Sequence, residues 1–421
     1  MAAGQLAWYI TATALVLFMT PGVAFFYGGL ARVKSMVSMM LLSLGAVGLI
    51  GVLWVLYGYN MGTVAAGEGN LIPGVLGNPF SDFGLGTLAA SEDANDGLAA
   101  VAFGATFAII TVALISGAVA DRAKFGSWML FAGIWATLVY FPVQGWVWGL
   151  DADGNPAGWI AALGTNLGLS TDVIDYAGGT AVHINAGAAA LALALVLGKR
   201  IGFPNVEKLG KPSSVPLVVI GASILFFGWF GFNGGAAAGD EALSGLGLIT
   251  LNTLVATAAA LLGWSIVDRL SKGRVTATGA SSGVVAGLVA ITPSCANLTP
   301  FWAIVLGLVA GAVSSLAVGL KYRWGYDDSL DVVGVHLVSG FIGTLWLGFF
   351  ATDTGLFTGG NLDQLTVQFL AAVSVAVYSF VMAYIIAIVI EKTIGFRVPK
   401  DIELAGIDLR VHGEEGYALT D

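Results

Sequence analysis

Cysteine occurs once in this chain, histidine three times, and charge is scarce throughout. The lone Cys295 excludes an internal disulfide framework and any cysteine-built metal site. Charged residues make up 10% of the sequence, well short of the roughly 25% of soluble domains. A net charge of −9 argues against nucleic-acid binding. The opening residues, Met1-Ala-Ala-Gly-Gln-Leu, lack the basic stretch of a cleaved signal peptide, so the first apolar run is expected to stay as a span. What fills the chain instead is hydrophobic residues, at 57%, and 60 glycines, the small residues that let membrane helices approach closely. The composition is that of an all-α, multi-pass membrane protein.

Apolar runs of about 20 residues mark membrane spans. Eleven are expected, over 5–29, 38–61, 97–120, 126–148, 177–198, 215–237, 246–267, 276–292, 300–320, 332–351 and 364–390. Segments 62–96 and 149–176 read as loops rich in Gly, Asn, Asp and Pro. All 17 basic residues follow odd-numbered spans, in the segments after spans 1, 3, 5, 7, 9 and 11. An alternating path puts those segments on one side, which the positive-inside rule makes cytoplasmic. The expected topology is therefore N-out and C-in, with a membrane domain over 1–391 and a cytoplasmic tail over 392–421.

Two histidines lie inside these spans. His183 sits in Ala181-Val-His-Ile-Asn-Ala-Gly187 and His336 in Gly334-Val-His-Leu-Val-Ser-Gly340, each on the fifth span of a set of five. Five is odd, so two such halves insert with opposite orientation, as an inverted 5+5 repeat plus a final helix, with the working site near the midplane. Ionisable residues within spans are costly and mark function. Imidazole there can move a proton, bind a metal or hold haem iron. Asp175 opens the first of these spans as a helix cap, about 12 Å above His183 at ~1.5 Å per residue. Asp331 leads into the second.

Asp175-Tyr-Ala-Gly-Gly-Thr-Ala-Val-His-Ile-Asn185 resembles the signature of the ammonium transporter (Amt/Mep/Rh) family, of the prokaryotic Amt type. Pro21-Gly-Val-Ala-Phe-Phe-Tyr-Gly-Gly-Leu30, Phe227-Gly-Trp-Phe-Gly-Phe-Asn-Gly-Gly235, Asp331-Val-Val-Gly-Val-His336 and His412-Gly-Glu-Glu-Gly-Tyr417 match in order, so the resemblance covers essentially the whole chain. It implies a homotrimer in the cytoplasmic (inner) membrane, each protomer with its own pore, with no enzymatic activity and no cofactor. The substrate would be ammonium or ammonia, with methylammonium as an analogue.

The resemblance also implies roles. Phe107, Trp148, Asp175 and the Ala177 carbonyl form an external recruitment site, and Phe107 with Phe232 gates the pore below it. His183 and His336 line the pore as a hydrogen-bonded pair, with Tyr27, Trp229, Asn233 and Ala236 in the pore region. The tail is expected on the cytoplasmic face, where P-II signal proteins dock. One departure stands out. Many members carry Ser three residues after the Asn of Phe-Gly-Phe-Asn, but Asn233 is followed by Gly234, Gly235 and Ala236. Without that hydroxyl the outer site should bind ammonium less tightly while transport persists. Two other readings compete, a redox protein with the histidines as axial haem ligands and a sensor on the same fold. Sensors of this kind usually carry a fused signalling domain, which is not expected here.

Overall fold

The computed structural model describes residues 1–64, 69–151, 153–237 and 243–417. Among them the only β pairing is three isolated bridges. Ten helices are long and apolar enough to cross a membrane: α1 Ala3–Leu30, α2 Val33–Gly62, α3 Ala94–Val119, α4 Phe125–Trp148, α5 Gly179–Leu197, α6 Val215–Gly234, α7 Leu246–Lys272, α9 Pro300–Trp324, α10 Val333–Phe350 and α11 Leu362–Thr393. The eighth expected span is present as a shorter apolar helix, α8 Ala277–Ile291. The segment read as a loop over 62–96 contains two short helical pieces, Phe83–Leu85 and Gly86–Ala89, and 149–176 contains Leu163–Leu167.

Lipid gives helices no hydrophobic reason to associate, so packing depends on close backbone approach. At Gly307 of α9, a Cβ would stand 2.1 Å from the Ala256 carbonyl oxygen of α7, so only glycine admits this contact. α1 lies along α6 and α5 along α11. Most central for the site is the crossing of α5 and α10. The opening turn of α5 packs on the body of α10, and the opening turn of α10 on the body of α5, so the two run antiparallel.

The basic segments that follow α1, α3, α5, α9 and α11 converge at one end of the bundle. Arg200 bridges Asp121 at 2.8 Å and Asp327 at 2.9 Å, and Arg32 reaches Asp121 at 3.3 Å. Arg122, fully buried, donates to the Asp327 carbonyl at 2.7 Å. Burial alone would raise Asp121 and Asp327, but Arg200, joined by Arg32 at Asp121, outweighs it and holds both carboxyls below their ordinary range. Burial brings the Arg122 guanidinium down to about 10, with Asp327 opposing.

Beyond α11 the chain folds back onto this end. The Lys124 N–H donates to the Phe396 carbonyl and the Val398 N–H to the Arg122 carbonyl, both at 2.9 Å. The Asp408 carboxylate then accepts from the Val37 and Ser38 N–H groups at 3.0 and 2.7 Å, capping the start of α2.

Candidate functional site

The segment before α5 turns sharply at Gly178, whose φ of +114° suits glycine. That turn lets both oxygens of Asp175 face the helix start. Oδ1 accepts from Gly178 and Gly179 at 2.9 and 2.6 Å, and Oδ2 from Thr180 and Ala181, both at 2.9 Å. Four backbone donors that a helix leaves unpaired are thereby satisfied. Burial pushes the Asp175 carboxyl above its ordinary value, and these four hydrogen bonds pull it partly back. The Trp148 indole donates to the Asp175 carbonyl at 2.7 Å, tying the end of α4 to this turn.

The other half repeats the plan with a different residue from the one expected. Asp331, at φ +66°, turns aside to pair with Lys321 at 2.6 Å. The cap of α10 is Asp328, whose Oδ2 accepts from the Val333 N–H at 2.7 Å. Asp328 precedes His336 by the same eight residues that separate Asp175 from His183, and Val333 stands to Asp328 as Thr180 does to Asp175. That spacing was the signal in the sequence. The DVVGVH match drew attention to Asp331 instead.

Each histidine lies in a wide π-helical turn, Gly179–Ile184 for His183 and Val333–Leu337 for His336. Such turns break the regular ladder and re-aim side chains, often at functional sites. The two rings stack with centroids 5.3 Å apart, and their Nδ1 atoms are 3.3 Å apart. One Nδ1 must donate and the other accept, so the pair presents one Nε2 acceptor and one Nε2 donor, whichever tautomer holds. His183 Nε2 has no protein partner. The space that both rings line is about 10 Å³, far too small for a porphyrin, which removes the axial-haem reading.

An aromatic column leads to this pair. Phe107 and Phe232 stack at 4.2 Å and 25°, and the Phe232 ring lies 6.0 Å from His183. Trp148 meets Phe107 edge-on at 5.9 Å, and Trp229 stacks on His183 at 5.4 Å. Below the phenylalanines a narrow lumen is lined by both histidines, Phe26, Tyr27, Trp229 and Phe232 with aliphatic neighbours. Its free volume is about 10 Å³, at the threshold for one water-sized molecule. The Tyr27 hydroxyl donates to the Leu114 carbonyl at 3.0 Å, which leaves its ring to form wall.

Not every expected residue reaches the lumen. The buried Asn233 amide donates to Thr253 at 2.9 Å, and Thr292 Oγ1 accepts the Trp229 indole proton at 2.7 Å. Asn233 lies within 3.3 Å of that same Thr292 hydroxyl and so supports Trp229 from behind. Ala177 is buried beside the Asp175 turn, and Ala236 is half-buried past the end of α6. Neither lines the lumen.

The model of the Ammonium Transporter Family matches residues 7–417. An ammonium transporter of Mycobacterium tuberculosis is 47% identical, over 98% of this chain and 90% of that protein. Ammonium transporter Amt1 of Archaeoglobus fulgidus is 37% identical, over 99% of this chain and 100% of its own length. The chain belongs to the ammonium transporter family. Solved structures agree on the fold. A sensor Amt protein superposes with a TM-score of 0.86 at 27% identity, covering 97% of this chain and 98% of that one. Mep2 of Candida albicans gives 0.82 at 33% identity, covering 94% and 86%. The chain is thus a multi-pass membrane protein that transports ammonium and is not an enzyme.

Proposed function

We propose that ammonium is captured at the outer aromatic site, loses a proton there, and crosses the lumen as ammonia while the proton passes across the His183–His336 pair. The observation that carries this reading is the 3.3 Å contact between the two Nδ1 atoms directly beneath the stacked Phe107 and Phe232. An aromatic face holds a small cation with roughly 0.5–2 kcal/mol, which Trp148 and Phe107 can provide. The buried Asp175 adds negative charge behind them. An unpaired cation cannot enter so small an apolar lumen without a large desolvation cost, whereas neutral ammonia can. Phe107 and Phe232 act as the gate.

In this reading the eleven apolar helices all cross the cytoplasmic (inner) membrane, with the basic end and the tail over 392–421 inside. The protein works as a homotrimer with one pore per protomer. The folded-back tail offers a cytoplasmic surface for a P-II signal protein. Methylammonium uptake into proteoliposomes tests the gate. Phe107→Ala is expected to lower uptake severalfold while the protein remains folded, and uptake equal to wild type would refute the role given to that ring.

A further inference from the structure

Ammonium is surrounded by N–H donors, and an aromatic face attracts its charge without offering an oxygen to accept them. The oxygens of Asp175 are already engaged. Its carbonyl accepts from Trp148 and its carboxylate from four backbone N–H groups. Ala236, past the end of α6, presents only a methyl group. A free oxygen is found instead on α1.

The outer part of α1 is fastened to the end of α6, where the Trp8 indole donates to the Gly234 carbonyl at 3.1 Å. At Gly235 a Cβ would stand 2.5 Å from the Phe103 ring, so that ring lies against the backbone just before Ala236. Tyr9 packs on the same ring, with centroids 4.8 Å apart at 35°. Phe103 in turn meets Phe107 at 4.9 Å. The aromatic column therefore continues outward from the gate as Phe107, Phe103 and Tyr9. Spacing explains the alignment. Phe103 and Phe107 are four positions apart on one face of α3, and Tyr9 lies on the face of α1 that buries Gln5, Ala12 and Val16.

Tyr9 is half-buried, and its hydroxyl makes no hydrogen bond among the described residues while staying open to solvent. A phenol oxygen can accept as well as donate. Its ring adds a further aromatic face beside Phe103.

We infer that the Tyr9 hydroxyl is an oxygen acceptor of the outer recruitment site, receiving an N–H of ammonium while the Phe103 and Phe107 rings face its charge. This rests on the recruitment step of the proposed function, and it makes Tyr9 a determinant of affinity and not of maximal rate. The concentration dependence of radiolabelled methylammonium uptake into proteoliposomes, at fixed ionic strength, tests it. Tyr9→Phe keeps the ring on Phe103 and removes only the oxygen, so KM should rise about fivefold with the maximal rate unchanged. Adding Ala236→Ser to Tyr9→Phe returns an oxygen to the same wall and should bring KM back to within about twofold of wild type. A packing role for Tyr9 predicts no such rescue. An unchanged KM in Tyr9→Phe, a fall in maximal rate alone, or no recovery with the serine would overturn the assignment. Trp148→Leu separates the two possible failures. If it raises KM and Tyr9→Phe does not, the recruitment site stands and Tyr9 is only part of its wall. If neither raises KM, the recruitment reading falls together with the role of Tyr9.

Discussion

Asp175 closes the start of α5 with four backbone N–H groups, whereas Asp328, at the same distance before its own histidine, receives one hydrogen bond from Val333 and leaves Oδ1 unpartnered. The consequence shows in their acidity. Burial raises both carboxyls, and with fewer donors, and Asp331 adding to the rise, Asp328 climbs to about 6 even though Lys321 opposes it. Two halves built on one plan have thus been finished differently. The cap beside Trp148 has both carboxylate oxygens engaged, and the cap at the basic cluster keeps one oxygen free and is sensitive to protons.

The largest effect should come from removing the two caps in turn. Asp175→Ala strands four buried donors and is expected to lower stability by on the order of 3 kcal/mol, against about 1 kcal/mol for Asp328→Ala. Thermal unfolding of the purified protein checks the order, and equal losses would erase the asymmetry.

A somewhat smaller effect lies in pH. The folded value of Asp328, about 6, is above its ordinary 3.8, so its charged form costs stability above pH 6, and that cost is relieved as pH falls toward 4. Asp121 and Asp327 have the opposite sign. Their contribution is present above 3.8 and is lost as pH falls through their lowered folded values. Between pH 7 and 4 the native protein should therefore gain about 2 kcal/mol relative to Asp328→Asn. Parallel melting curves for the two proteins would contradict this.

The smallest effect concerns the outer end alone. If the proposed recruitment role holds, Ala236→Ser, which adds a hydroxyl acceptor just past the end of α6, should tighten apparent affinity for methylammonium by about 1 kcal/mol, roughly fivefold. An unchanged concentration dependence of uptake would remove Ala236 from the account.

Apolar run length located every long helix to within about five residues, because a span must match the thickness of the lipid it crosses. Differences fall at ends that leave the apolar layer. α7 continues to Lys272 and α11 to Thr393, since polar residues extend a helix into water without penalty. The histidine pair was legible for the same reason that an ionisable group in a span is conspicuous. The Asp328 cap was missed because neighbouring carboxylates at 327, 328 and 331 look alike in sequence. Which of them turns toward the helix depends on the left-handed backbone at Asp331 and on partners such as Arg200 and Lys321, brought from distant segments. Trp229 beneath His183 was expected in the pore region, but the support it receives from Thr292 and Asn233 is a tertiary contact that no local pattern announces.

The central claim is that ammonium is split at the outer end and that the histidine pair carries the proton inward. Solid-supported membrane electrophysiology on proteoliposomes given an ammonium pulse tests it most directly. The account predicts a transient inward current that disappears in His336→Leu, where His183 Nδ1 loses its partner. Ammonia uptake without any current, or a current of full size in that variant, would contradict it.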